Sequence, residues 1–507
     1  MKKTALVIMA ITIISRLFGF GREIALSYYY GASELTDIYL IALIIPGTLF
    51  AFFSTAITTS YIPLYSRISS TEGSGPANRF TSNLLHIVMG IAVLLVILVF
   101  AFTPQIVKLF AIGFEGDTLR LAVLYTRVSV FGVFASCAIA ILTGYLQINN
   151  EFVIPALIGL PLNSAIIIAI IISYRTVLIV MVLGTLGASF LQLLFILPSV
   201  YKSGYKHRMV FSVRDEHIKA MLILALPVLL GTSVNQINTL VGRTLASSIA
   251  VGGITALTYA DRLNDFLQGL FVSSIAVVIY PSISRMASEG RLDAFKSLVG
   301  KSINMILLLI LPASIGAMAF ARPIVKLLFG NGAFDERALV MTSGALFFYA
   351  IGMAAFGVRE VLSKAFYSLQ DTKTPMYNAA LSVVLNIVLI IVLSRFMGIS
   401  GLALATSISA IFCSGLLFWS LRNKIGSLGL RVMVISTMKI LLASGIMGVA
   451  ACLAFGWFNN FMNINVSLLF AIFVGVIVYS LLILLLKVPE VEEIMKLVKD
   501  KFMRREV

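Results

Sequence analysis

Ser15-Arg16-Leu17-Phe18-Gly19-Phe20-Gly21-Arg22-Glu23 sits inside an apolar run from Ala5 to Tyr30 and puts two guanidinium groups where a membrane helix should carry none. At ~1.5 Å of rise per residue counted from Lys3, Arg16 lies roughly 20 Å and Arg22 about 28 Å along a helix, against a hydrocarbon core of ~30 Å. Arg16 is therefore deep, and Arg22 is nearer the far side. An arginine at the centre of a span costs about 2.5–3.5 kcal/mol on insertion scales, so such residues face a bundle interior or a watery cavity and find a partner. Glu23, seven residues after Arg16, falls on nearly the same face and is one candidate partner. Two readings stand side by side: guanidinium groups that snorkel or satisfy helix ends, or a cavity built to receive an anion.

The composition around that run leaves one fold class. With 60% hydrophobic and 12% charged residues over 507 positions, and a mean hydropathy of +1.03, the chain is excluded from the soluble globular proteins. Apolar runs long enough to span lipid recur, and alternating ten-residue strand patterns do not, so the expectation is an all-α polytopic membrane protein rather than an outer-membrane barrel. About fourteen spans are read, at 4–29, 35–62, 80–103, 118–147, 152–173, 176–200, 219–249, 254–281, 300–320, 338–368, 375–395, 400–421, 434–456 and 464–486. The formal charge of +16 is spread over short loops rather than gathered in a basic domain, which argues against nucleic acid as a partner. Lys2 and Lys3, Arg67, Arg79, the run Lys202 to Arg214, Arg285 to Lys301, Lys364, Lys373 and Arg422 to Arg431 share one side. The positive-inside rule makes that side, and both termini, cytoplasmic. Lys2 and Lys3 resemble the start of a signal peptide, but Arg16 interrupts the run and no small-residue cleavage site follows, so the first helix is read as retained.

The two halves repeat at an offset close to 220 residues. Gly21-Arg22 followed by Gly31 recurs as Gly242-Arg243 followed by Gly252, Tyr61-Ile62-Pro63 with Arg67 as Tyr280-Pro281 with Arg285, and Ile106-Val107-Lys108-Leu109 as Ile324-Val325-Lys326-Leu327. Leu162-Asn163 before a run of isoleucines matches Leu385-Asn386. Matches in one order at nearly one offset imply a six-span duplication, with both copies in the same orientation about an axis along the membrane normal. The expected organisation is an N-terminal lobe at 1–201, an inter-lobe linker at 202–218, a C-terminal lobe at 219–424, two additional spans at 425–487, and a tail at 488–507. In that tail Val491, Ile494, Val498 and Phe502 recur at helical spacing among lysines and arginines, as in an amphipathic helix on an anionic surface. Paired six-helix lobes with a cleft between them are a transporter architecture, working by alternating access.

No hydrolytic motif survives inspection. His86, His207 and His217 share no ligand spacing, Cys137, Cys413 and Cys452 lie in apolar runs without metal or disulfide spacing, and no Walker A motif is present. Neither catalysis, a metal nor a bound cofactor is implied. Buried charge is what remains. The second copy contributes Arg243 and the stretch Tyr259-Ala260-Asp261-Arg262-Leu263-Asn264-Asp265, where Asp261 and Asp265 share a face and either orient an arginine or lock two helices. Asp37 reads as a helix cap or an outer-gate partner, and Arg359, Glu360 and Lys364 as a salt-bridged inner gate or a solvated face. Arginines in excess of carboxylates suit a phosphate or pyrophosphate better than a cationic drug.

These residues resemble the MurJ/MviN family of lipid II flippases in the MOP exporter superfamily. The family's first-helix pattern stands at Ser15 to Glu23, its continuation at Thr36-Asp37-Ile38-Tyr39 and Ile45-Pro46, its Tyr-Ala-Asp-Arg-Leu motif at Tyr259 to Leu263, and its Phe-Tyr-Ser-x-Gln-Asp-x-Lys-Thr-Pro motif at Phe366 to Pro375. The resemblance implies two six-helix lobes plus two helices that form a lipid-tail groove. It also implies transfer of an undecaprenyl-pyrophosphate-linked glycopeptide to the outer leaflet, with Arg16, Arg22 and Arg262 lining the cavity. Energy would come from the membrane potential or from a Na+ or H+ gradient, and partners would include membrane lipids and the cell-wall synthesis machinery. One departure is plain: after Pro46 the family's basic pair is missing, and Gly47-Thr48-Leu49-Phe50 stands there, with Arg243 as a candidate substitute. A flippase for another polyprenyl-linked oligosaccharide, a cation-coupled drug exporter and a non-transporting cell-wall scaffold are the alternatives.

Overall fold

Apolar runs broken by Gly, Pro and short polar loops fold as helices, and a computed structural model, which describes residues 2–427 and 429–491, is all-α over them. Side chains are described throughout these ranges except at 2–6, 9, 52–53, 56, 58–59, 226–228, 230–232, 234–235, 273–274, 277–278 and 430–432. Eleven stretches among the described residues are long and apolar enough to cross a membrane. The expected amphipathic tail lies outside the described residues beyond Val491. Packing divides the chain into two compact units, residues 1–255 with 331–335, and residues 256–330 with 336–507.

The first unit holds α1 (Lys2–Tyr30), α2 (Glu34–Thr71), α3 (Ser74–Phe110), α4 (Gly116–Ser129), α5 (Gly132–Ile148), the single turn α6 (Val153–Leu157), α7 (Gly159–Arg175), α8 (Ile179–Lys202) and α9 (Glu216–Ile249). Helix α9, expected to open the second lobe, packs on α2 and α3, so division by packing and division by sequence repeat are different cuts of the chain. Residues 203–215 form a strap held along α3. Asn83 accepts from the Ser212 amide and donates to its carbonyl, Ser82 accepts from the Arg208 amide, and His86 Nδ1 lies 2.8 Å from the Val210 carbonyl. Burial and the neighbouring His86 hold His207 in this strap below the ordinary histidine range.

Proline bends α3. Pro104 has no N–H for the carbonyl four residues earlier, Phe100, and Phe102 leaves the helical region at φ −111°, ψ 19°. Arg127 of α4 and the Thr103 hydroxyl supply donors in its place: Arg127 Nη2 reaches the Phe100 carbonyl at 3.4 Å and Thr103 Oγ1 reaches it at 3.2 Å, Arg127 Nε reaches Thr103 Oγ1 at 3.4 Å, and the guanidinium carbon lies 5.4 Å from the Phe100 ring centre. Arg127→Met keeps the stem but leaves that carbonyl with the Thr103 hydroxyl at 3.2 Å, which is shared with the Val99 carbonyl, and is expected to cost about 1 kcal/mol, read as a lowered unfolding temperature in detergent. An unchanged transition would show that the proline kink needs no external donor.

The second unit comprises most of α10 (Gly253–Ser288), then α11 (Leu292–Ala319), α12 (Ala321–Phe329), α13 (Glu336–Ser368), α14 (Lys373–Met397), α15 (Ile399–Ile425), α16 (Leu430–Phe458) and α17 (Ile464–Leu485). Phe320 breaks α11 from α12 at φ −115°, ψ 24°, nearly the angles of Phe102, with Pro323 following. Small residues bring α13 and α15 close: Ser407 and Ser414 donate to the Phe348 and Ala355 carbonyls, each at 2.6 Å. Helix α16 packs on α11 and α17, and Tyr479 of α17 donates to the Leu308 carbonyl at 2.6 Å.

Asp371, in the loop before α14, accepts from Thr374 N at 3.0 Å, from Thr374 Oγ1 at 2.8 Å and from Lys424. Burial opposes its charge, but the Lys424 ammonium and the Thr374 donors outweigh it and hold the carboxyl down at about 2. A depressed folded value means that its contribution is complete above the unfolded carboxyl pKa of about 4 and is lost as pH falls toward 2. Asp371→Asn is therefore expected to lower thermal stability at pH 7 and to flatten its decline between about pH 4 and 2. Identical acid limbs in both proteins would contradict this.

Candidate functional site

Helix α1 carries the charged stretch, and small residues interlock it with α7 while the arginines stand off that seam. A Cβ on Gly159 would lie 2.2 Å from Ser15 Oγ, and one on Gly19 would meet Asn163 Nδ2 at 3.6 Å. At the far end Tyr30 and Ser173 share a 2.7 Å hydrogen bond. Arg16 is exposed and makes no hydrogen bond or ion pair among the described residues. Glu23, 4% exposed, pairs with its immediate neighbour: Arg22 Nη2 lies 2.5 Å from Glu23 Oε1. Shared face placed Glu23 under Arg16, but a long arginine side chain bends to the adjacent carboxylate at less cost than Arg16 spans two turns. Arg22 keeps about a quarter of its side chain exposed, so the pair is not sealed.

The end of α1 meets the start of α2, where Asp37 is 2% exposed. Its Oδ2 accepts from the Gly252 amide at 2.9 Å, and its Oδ1 from the Thr255 amide at 2.8 Å and hydroxyl at 2.6 Å. Gly252 and Thr255 open α10, so Asp37 caps that helix from a distant part of the chain, satisfying amides that helix geometry leaves unpaired. Two glycines show how tightly this end is closed. A Cβ on Gly113 would lie 2.1 Å from the Ser247 carbonyl, and one on Gly332, whose φ is +71°, would lie 2.1 Å from the Tyr28 carbonyl. Gly113 and Gly332, and likewise Tyr28 and Ser247, stand at the repeat offset of about 220 residues, so both copies make the same loop-to-helix contact. Ala333 N donates to the Tyr28 carbonyl at 2.9 Å, and Thr244 donates to the Leu109 carbonyl at 2.6 Å. Neither glycine stood out in the sequence; comparison of the two copies at their aligned offsets would have paired them.

Arg243 is half-buried on α9, one residue before Thr244. In the second unit Asp261 is half-buried on α10, with Arg262 and Asp265 exposed, and all three engage neighbours. Arg16, Arg22, Glu23, Asp37 and Arg243 thus belong to the first unit, and Asp261, Arg262 and Asp265 to the second. On α13, Glu360 pairs with Lys364 at 3.2 Å, and Arg359 stacks 5.2 Å from the Phe356 ring centre.

The family model described as lipid II flippase MurJ matches residues 26–475, which leaves Ser15 to Glu23 before its start. A probable lipid II flippase MurJ of Thermotoga maritima is 30% identical over 488 residues, 96% of each chain, and one of Vibrio cholerae is 29% identical over 432 residues, 82% of each. Among solved structures, a lipid II flippase MurJ in an inward closed conformation superposes with a TM-score of 0.82 at 28% identity, covering 94% of this chain and 98% of that one. An inward-facing multidrug resistance MATE family transporter of the MOP superfamily reaches 0.72 at 15% identity over 84% of this chain and 98% of that one, which is a likeness of fold alone. A family model over residues 26–475, joined to a relative 30% identical over 96% of the chain, places the chain in the lipid II flippase MurJ family.

Proposed function

We infer that this chain is a transporter that moves lipid II from the cytoplasmic to the outer leaflet of a bacterial inner membrane. The observation that carries the reading is Arg16: a cation on an apolar helix, exposed and without a protein partner among the described residues, in a chain of the lipid II flippase family. Leaving it unpaired costs several kcal/mol in lipid unless water and an anion reach it, and a pyrophosphate supplies that anion.

The working arrangement is fourteen spans with both termini cytoplasmic, the lobes at 1–201 and 219–424 joined by the linker at 202–218, and a tail groove at 425–487. Arg16, Arg22 and Arg262 hold the pyrophosphate, Glu23 orients Arg22, Asp261 and Asp265 orient Arg262, and Asp37 and Arg243 serve the outer side. The pair Glu360 and Lys364 serves the inner side. Alternating access then carries the headgroup through a wet chamber while the polyprenyl chain stays in lipid. The membrane potential or a Na+ or H+ gradient drives the cycle, and the cell-wall synthesis machinery receives the product.

A second reading rests on one observation, the apolar stretch that follows Pro46 where the resemblance calls for basic residues: a flippase for another polyprenyl-linked glycan. Reconstitution in liposomes with lipid II and a competing polyprenyl glycan decides between them. Lipid II is expected to cross and the competitor to remain; the reverse would replace the substrate.

A further inference from the structure

A turn occurs twice in this chain with the same backbone and opposite use of its charges. In the first unit Asn150 is left-handed at φ 63° and Glu151 N donates to the Leu146 carbonyl; in the second Gln370 is left-handed at φ 58° and Asp371 N donates to the Phe366 carbonyl. Pro155 and Pro375 follow at the same spacing, and Gly204 and Gly426, at φ 90° and 87°, close the neighbouring helices that carry Lys202 and Lys424. Asp371 spends its charge inside the protein, on Thr374 and Lys424. Glu151 cannot do the same, because Ile154 stands where the second copy has Thr374, and neither Glu151 nor Lys202 has an ion pair or side-chain hydrogen bond among the described residues.

Between them lies a cleft of about 590 Å3, lined by Asn149, Glu151, Ile154, Ser199, Lys202 and Ser203. The Ser199 and Ser203 hydroxyls are also without hydrogen bonds among the described residues. The cleft opens where α5 and α8 end, the level at which membrane helices leave the hydrocarbon, and Phe152 and Tyr201 beside it are 42% and 56% exposed, as interfacial anchors are.

We propose that this cleft binds the headgroup of a bilayer aminophospholipid of the phosphatidylethanolamine type, its ammonium on Glu151 and its phosphodiester on Lys202 and the two serine hydroxyls. One carboxylate and one ammonium held apart fit a zwitterion of that order, and an anionic headgroup without an amine meets the Glu151 charge unpaired. In the orientation proposed above this cleft faces the inner leaflet, and that placement rests on that reading.

The test is native mass spectrometry of the full chain with equimolar phosphatidylethanolamine and phosphatidylglycerol. The wild type is expected to retain the amine lipid by about threefold, the scale of an exposed ion pair. Glu151→Gln should bring the ratio close to one, and Lys202→Gln should reduce retention of both lipids. Ile154→Thr, which offers Glu151 the internal donor of the second copy, should also lower the ratio, whereas Asp371→Asn should leave it unchanged. Equal retention of both lipids by the wild type, or a ratio unmoved by Glu151→Gln, overturns the proposal. Lipid II transport measured on the same preparations separates the two readings: a flippase active in liposomes whose lipid ratio ignores Glu151 refutes the cleft and leaves the transport reading standing.

Discussion

Alanine at Arg16, Arg22 or Arg262 is expected to abolish rescue of a flippase-depleted bacterium while the protein still accumulates in the membrane. Each guanidinium offers a pyrophosphate charge-assisted hydrogen bonds worth about 1.5–3 kcal/mol apiece, so losing even one such bond weakens substrate binding on the order of 10- to 100-fold. Arg16 is the sharpest case because it has no protein partner among the described residues, so its removal breaks no internal contact there and its effect reads out substrate. Lysine at that position keeps the charge and loses the planar fork, and should rescue only partly. Growth supported fully by all three alanine variants would remove the proposed site.

Asp37→Ala is expected to give the largest loss of stability among single substitutions of these charged residues. It strands the Gly252 amide and both donors of Thr255 in a buried place, about 1–3 kcal/mol for each unsatisfied group before any relaxation. Asp37→Asn keeps an acceptor oxygen and should cost less than half as much. Thermal unfolding of the purified chain measures both, and an alanine variant as stable as the asparagine one would show that water replaces the cap.

How much of this was readable beforehand depended on the range over which each feature is determined. Helix positions follow from local apolar runs, so helices occupy the stretches read from the sequence as spans. Arg127 carries no signal of its role in the sequence, since that role is fixed by the Phe100 carbonyl, 27 residues earlier in the chain, which Pro104 frees. Asp37 could be read as a cap or a gate, but not for which helix, because its partners lie 215 and 218 residues on. Helical face made Glu23 one candidate partner for Arg16, and among the described residues its carboxylate pairs with Arg22. The open cleft at Glu151 and Lys202 shows only against its closed counterpart, a comparison that needs the left-handed residue of each turn and hence the backbone.

The most direct test of the transport account is the affinity of the purified chain for lipid II, measured for the wild type, Arg16→Ala, Arg262→Ala and the double variant. If guanidinium groups from α1 and α10 grip one pyrophosphate, each single change weakens binding at least about tenfold, and the double variant falls short of the product of the two losses. Lipid II bound equally well by all four proteins would contradict the account at its root.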